Sequence, residues 1–176
     1  MNRFAPLALV PVLAGLAGCS TVGTIPTTRL ADATLKQANG IPAGTVQIVS
    51  NGQTITLTAA VAGLSPGQHG IHLHTTGSCT APDFKSAGGH LNPAGKQHGV
   101  DNPMGSHIGD LPNITVSEAG TGTISAELRG TEAELISALF DADGTAVVVH
   151  AGPDDYKTDP SGDSGARVAC GVLKQL

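Results

Sequence analysis

Six of the seven histidines in this chain fall between His69 and Asp110. No other feature constrains the fold so tightly. Neutral imidazole is the commonest metal ligand among side chains, and clustering of this density points to metal. The stretch opens with His69-Gly70-Ile71-His72-Leu73-His74 and passes through Gly88-Gly89-His90-Leu91-Asn92-Pro93 and His98-Gly99. It closes on His107-Ile108-Gly109-Asp110. Ile71 to His74 reads as a strand, so His72 and His74 share one face and both can reach a single ion. His69, three residues earlier, faces the other way and reads as a hydrogen-bonded structural residue. His90, His98, His107 and Asp110 sit among Gly, Pro, Asn and Lys, and so belong to a loop. Three imidazoles and one carboxylate suit a closed tetrahedral zinc site. The seventh histidine, His150, ends the run Ala146-Val147-Val148-Val149. A strand-borne pair joined by a distant strand-borne histidine suits a tetragonal nitrogen site, which favours copper.

The rest of the chain predicts the scaffold. Period-two alternation is visible in Thr45–Val49, Gln53–Thr58 and Gly122–Leu128. Asn51-Gly52, Ser65-Pro66-Gly67 and Ala119-Gly120 interrupt it, the pattern of antiparallel hairpins. Six to eight short strands with a long loop between some of them give an all-β Greek-key sandwich or barrel. Thr131 to Phe140 fits one short helix or a loop, with the Thr131-x-x-Glu134 start favouring the helix. After the N-terminal segment the chain has only Phe84, Phe140 and Tyr156 as aromatics, so the core must be aliphatic. The formal charge of −5 and the scattered basic residues argue against nucleic acid as a partner.

Residues 1–18 read as a signal peptide of the lipoprotein type. Arg3 is a short positive region, and the apolar run after it is too short and too proline-broken to span a bilayer. Leu16-Ala17-Gly18-Cys19 looks like a bacterial lipobox, which predicts cleavage before Cys19 and lipidation of that residue. The alternative is an ordinary secretory signal cut near Ala17. Residues 19–31 then form the lipidated cysteine and a flexible tether, and 32–176 form the folded domain. The expected location is the bacterial cell envelope, facing the periplasm, with a membrane as partner through the lipid on Cys19.

Several separated motifs resemble the copper,zinc superoxide dismutase family. Gly70-Ile71-His72-Leu73-His74-Thr75-Thr76-Gly77-Ser78-Cys79 is similar to its copper-ligand signature. His90, His98, His107 and Asp110 match its metal loop in order and spacing. Gly162-Asp163-Ser164-Gly165-Ala166-Arg167-Val168-Ala169-Cys170-Gly171 resembles its C-terminal signature. The resemblance spans roughly Asp32 to Leu176 and implies an immunoglobulin-like Greek-key barrel or sandwich with long metal-binding loops. It also implies one copper and one zinc per subunit. Copper would be held by His72, His74, His90 and His150, and zinc by His90, His98, His107 and Asp110, with His90 bridging the two. Asp154 matches a carboxylate that receives hydrogen bonds from one ligand of each metal, here His72 and His98, while Asp155 reads as a solvated loop residue. Arg167 resembles the arginine beside copper that attracts the anionic substrate, and Lys157 is a further cation of that region. The implied reaction is dismutation of superoxide to dioxygen and hydrogen peroxide, copper cycling between two oxidation states and His90 taking a proton between them.

With Cys19 lipidated, Cys79 and Cys170 remain, and an exported pair is expected to form a disulfide rather than two buried thiols. The resemblance leaves a homodimer open. Two other classes compete: a non-catalytic envelope copper- and zinc-binding protein on the same fold, and a dinuclear zinc hydrolase. A carrier has no need of Arg167, and the hydrolase usually needs a carboxylate-rich open site that this sequence lacks.

Overall fold

The computed structural model describes Met1 and residues 26–176. The signal segment, the lipobox at Cys19 and most of the tether lie outside the described residues. The alternating segments become strands. β1 (Thr28–Gln37), β2 (Pro42–Ser50) and β3 (Ile55–Ala62) form an antiparallel meander. The β2–β3 turn is closed by Asn51, whose Oδ1 accepts from the backbone N–H of Gln53 (2.9 Å) and Thr54 (2.8 Å). This is a side chain mimicking a backbone turn.

Next come β4 (Gly67–His69), β5 (Ile71–His74), β6 (Ile114–Val116), β7 (Thr121–Glu127) and helix α1 (Glu132–Leu139). β8 (Ala146–His150), β9 (Arg167–Val172) and β10 (Lys174–Gln175) end the chain. The main sheet runs β5-β8-β9-β1-β2-β3-β7, with β10 also on β1, while β4 and β6 pair separately. β9 lies beside β1 although most of the chain separates them, so an all-β Greek-key sheet curls around one core. That core includes Leu35, Val46, Ile48, Leu57, Ile71, Leu73, Val147 and Val149, and its buried members are all Ala, Val, Leu or Ile. Each large side chain buried in this way stabilises by about 1.5–3 kcal/mol.

Two features differ from the sequence reading. Ten strands are present among the described residues rather than six to eight. β4, β6 and β10 have three, three and two residues, too short for alternation to show. The domain also begins before Asp32. β1 starts at Thr28, and Ala31 is fully buried and pairs with Ile48, so backbone pairing captures residues that look like tether. α1 begins at a complete capping box, in which the Thr131 side chain accepts from Glu134 N–H and the Glu134 side chain accepts from Thr131 N–H.

Candidate metal centre

β5 is the hub of the site. Ile71 and Leu73 pack into the barrel core, so alternation puts His72 and His74 on the opposite face, under the long loops. On one side β5 pairs with β8, whose last residue is His150. A register shift between Val149 and His150 leads into the His150–Arg167 pair of β8 and β9. Irregularities of this kind re-aim side chains near active sites. On its other side β5 is clasped by the loop. Leu91 N–H donates to Leu73 O (2.8 Å) and Leu73 N–H donates to Gly109 O (3.0 Å), which sets His90 opposite His74 and Asp110 opposite His72. Two neighbours of one four-residue strand therefore gather residues scattered over eighty positions.

His72, His74, His90 and His150 each offer a ring nitrogen within 4.8 Å of the others, and all four are buried. The hydrogen bonds fix which nitrogen that is. His74 Nδ1–H donates to Gly88 O (3.0 Å), and His150 Nδ1–H donates to Gly165 O (3.1 Å). A carbonyl can only accept, so each Nε2 carries the lone pair. His72 Nε2–H donates to Asp154 Oδ2 (2.8 Å), leaving Nδ1 bare. Five buried side-chain polar atoms among the described residues lack a hydrogen-bond partner. Four of them are His72 Nδ1, His74 Nε2, His90 Nε2 and His150 Nε2. A buried group left unpaired costs about 1–3 kcal/mol. Four lone pairs facing one another fit a cation coordinated by nitrogen.

His90, His98, His107 and Asp110 form the second buried cluster. Asp110 Oδ2 is held by Gly99 N–H (2.9 Å) and His107 N–H (3.0 Å). Its Oδ1 then faces Nδ1 of His90 (2.9 Å), His98 (2.9 Å) and His107 (3.1 Å). The outer edges of two rings are fixed: His98 Nε2 at Asp154 Oδ1 (2.9 Å) and His107 Nε2 at Lys96 O (3.1 Å). Three nitrogens and one carboxylate oxygen converging in this way fit a tetrahedral zinc ion. His90 belongs to both clusters, one nitrogen to each.

Burial pulls His72 down to about 3, helped by His90 and His150 and opposed by its bond to Asp154. Burial likewise lowers His74 to about 2 and His150 to about 4, and lowers His90. His98 goes the other way. Burial disfavours its charge, but hydrogen bonds to Asp110 and Asp154 outweigh that and raise it to about 9. Burial opposes ionisation of the two carboxylates as well, yet their histidine partners hold both far below the usual range.

Comparison with known proteins gives this chemistry a family. Residues 42–173 match the family described as copper/zinc superoxide dismutase (SODC). The chain belongs to that family. It is 44% identical over 150 residues to a superoxide dismutase [Cu-Zn] from Caulobacter vibrioides, covering 82% of this chain and 85% of the relative. A crystal structure of a SOD-like protein from Bacillus subtilis matches with a TM-score of 0.77 at 38% identity, covering 84% of this chain and all (100%) of that one. The Cu/Zn superoxide dismutase from Brucella abortus matches with a TM-score of 0.63 at 28% identity, covering 85% and 100%. As a member of the copper/zinc superoxide dismutases, the chain is an oxidoreductase that dismutes superoxide, with one copper and one zinc per subunit as cofactors.

The quartet of His72, His74, His90 and His150 opens to solvent through a cavity of about 420 Å³. His74, His90, His107, His150 and Arg167 line it, together with Lys96 and Asp159. Arg167 Nη1–H donates to Phe84 O (2.7 Å) and Nη2–H to Gly88 O (2.6 Å). Phe84 sits in a small second core with Ala87, Val148 and the Cys79–Cys170 pair, which is disulfide-bonded. Burial lowers the Arg167 pKa and nearby Asp83 opposes that. Lys157 is exposed and does not line the cavity, whereas Lys96 does. His69 is buried, with its ring nitrogens at His150 O (2.7 Å) and Ser65 O (2.9 Å), outside both clusters.

Sequence reasoning missed three supports. The Gly88 carbonyl serves both His74 and Arg167. Phe84 carries the other arginine acceptor. Gly162 has φ +65°, and a Cβ there would collide with Asp154 Oδ1 and lie 2.7 Å from His98 Nε2. Only the double Gly88-Gly89 and the isolated Gly162 gave any signal, because Gly marks close backbone approach.

Proposed function

We propose that His72, His74, His90 and His150 hold copper, that His90, His98, His107 and Asp110 hold zinc, and that Arg167 receives superoxide at the mouth. The observation that carries this reading is the set of four buried lone-pair nitrogens, one of them on the imidazole shared with the carboxylate-containing cluster. When bound, copper supplies one-electron redox chemistry and zinc supplies a fixed positive charge. The chain's own residues do the rest. Gly88 O, Gly165 O and Asp154 hold three rings in the tautomer that aims a lone pair inward. His90 Nε2 is the atom at which a proton can be held between half-reactions, because His90 Nδ1 faces the zinc cluster. Two of the five N–H donors of Arg167 are spent on backbone carbonyls, which leaves three for an anion and water. Its charge persists at any working pH. A passive metal carrier would have no use for that arginine.

We further propose that the chain is an exported lipoprotein anchored through Cys19 to a membrane of the bacterial envelope, facing the periplasm. The lipobox supports this. With β1 starting at Thr28, residues 20–27 could hold the domain at most roughly 29 Å from the lipid. Cys19→Ser should release a soluble exported form or block processing, whereas wild-type protein recovered as soluble with a different mature N-terminus would sink the anchor. The reading admits a homodimer, which sedimentation of the metal-loaded domain tests. For the reaction itself, protein loaded with one equivalent each of copper and zinc should dismute superoxide, and Arg167→Ala should slow it at unchanged metal content. A fully loaded protein without activity would return the chain to the carrier class.

A further inference from the structure

We infer that Tyr156 and Asn113 are positioning residues for Asp154, and through it for one ligand of each metal. This rests on the ligand assignment proposed above. Asp154 accepts from His72 Nε2–H through Oδ2 and from His98 Nε2–H through Oδ1, so its placement sets two rings at once. Asn113 holds the backbone of Asp154 at two points. Asp154 N–H donates to Asn113 Oδ1 (2.8 Å), and Asn113 Nδ2–H donates to Asp154 O (2.9 Å). The amide pairs with both backbone groups of one residue, as a neighbouring strand would. Asn113 follows Asp110 by three residues and precedes Ile114, which is fully buried at the start of β6. Its clasp therefore fixes the separation of Asp110 and Asp154, the two carboxylates on either side of the His98 ring.

Tyr156, the only tyrosine in the chain, locks this arrangement. Asn113 N–H donates to the Tyr156 phenol oxygen (2.8 Å), and Tyr156 N–H donates to Asp154 Oδ1 (2.7 Å). Tyr156 O accepts from Asp101 N–H (3.0 Å) in the zinc-side loop. The backbone is turned to make this possible. Tyr156 has φ +65°, a left-handed conformation that bulky side chains rarely adopt. Such strain persists only where the surroundings over-determine it, and it gathers at functional sites. A Cβ on Gly99 would collide with Tyr156 O, so the glycine admits the turned carbonyl. One residue thereby faces Asp154, Asp101 and Asn113 together. Neither Tyr156 nor Asn113 belongs to a ligand cluster, so the phenol and the amide act on the metals through Asp154.

The test measures copper and zinc affinities by competition titration in wild type, Tyr156→Phe, Asn113→Ala, Asp154→Ala and the double variant Tyr156→Phe with Asp154→Ala. Tyr156→Phe keeps the backbone bonds of residue 156 and removes only the acceptor for Asn113 N–H. It should weaken both metals by roughly three- to ten-fold, and Asn113→Ala by roughly 10–100-fold, the range for groups that orient metal ligands. The Cu(II) spectrum of fully loaded Tyr156→Phe should shift as well, because a turned His72 ring changes the ligand field. In the Asp154→Ala background there is no carboxylate to position. Adding Tyr156→Phe there should leave both affinities where Asp154→Ala alone puts them. Further loss in the double variant would overturn the inference in favour of a general structural role, and unchanged affinities in Tyr156→Phe would overturn it outright. Should Asn113→Ala fail to fold, Tyr156→Phe and the double variant decide alone. If wild type takes up neither copper nor zinc, the ligand assignment fails instead.

Discussion

The two clusters share His90 but are built from opposite materials. Three rings of the copper-side quartet ride on β5 and β8, where backbone pairing fixes them before any ion arrives. Their outer nitrogens donate to Gly88 O, Gly165 O and Asp154, and their inner nitrogens have no partner. The zinc-side quartet is carried by a loop and gathers around one carboxylate oxygen, so the Nδ1–H groups of His90 and His98 have an acceptor already. Burial keeps the strand-borne rings neutral, while two carboxylates charge His98. A strand can afford unsatisfied lone pairs because the sheet holds it. A loop of Gly, Pro and Asn needs internal bonds, and Asp110 supplies them.

The sharpest way to break this contrast is Asp110→Ala. It removes the proposed carboxylate ligand of zinc and orphans the N–H groups of Gly99 and His107, at about 1–3 kcal/mol each. Zinc should be lost, and the melting temperature should fall by at least roughly 5 °C by calorimetry. Copper should still bind through the strand-borne rings with an altered Cu(II) spectrum. Unchanged melting and zinc content would show that the loop does not depend on Asp110.

Asp154→Asn has a smaller, one-sided effect. Asp154 Oδ1 accepts from His98 Nε2–H and from Tyr156 N–H (2.7 Å), and among the described residues Oδ2 accepts only from His72 Nε2–H. An amide keeps its oxygen where two donors converge and turns its NH₂ toward His72. Copper affinity should therefore drop by roughly 10–100-fold with zinc affinity little changed. Equal weakening of both metals in competition titrations would contradict that division.

The smallest effect is in protons. At pH 7 His72, His74 and His150 are neutral and keep their N–H on Asp154, Gly88 O and Gly165 O, so copper uptake should release no proton from these three rings. His98, raised to about 9, should give one up when zinc binds. Calorimetry in buffers of different ionisation enthalpy measures both. The stability of metal-free protein follows from the same shifts. His72, His74 and His150 have folded pKa values below the ordinary 6.5, so the unfolded chain binds more protons below that pH. Their contribution is present above pH 6.5 and is lost as pH falls below it, through about 4 for His150, about 3 for His72 and about 2 for His74. His98 contributes fully below pH 6.5, and its contribution is lost as pH rises toward 9. Stability should peak near pH 6.5, and a steady rise from pH 7 to 9 would refute the charge on His98.

Much of the site was legible because two simple rules act on it. Strand period two puts His72 and His74 on one face, and imidazoles with a carboxylate on a glycine-rich loop suit zinc. The supports were not legible, because they are backbone groups whose role depends on what the fold brings near. Nothing local in Phe84 or Gly88 says that a carbonyl there will hold an arginine about eighty residues away. Lys96 was hidden for the same reason: its place at the mouth follows from its carbonyl, which accepts from His107 Nε2–H. β4, β6 and β10 escaped because two or three residues carry no period.

The central claim is that two sites of different character share one imidazole. Anomalous diffraction from crystals loaded with one equivalent of each metal, recorded at the copper and zinc edges, tests it most directly. The account predicts copper among His72 Nδ1, His74 Nε2, His90 Nε2 and His150 Nε2, and zinc among the Nδ1 atoms of His90, His98 and His107 with Asp110. Copper and zinc signals exchanged between the two clusters, or a single occupied position with His90 bound to one ion only, would contradict it.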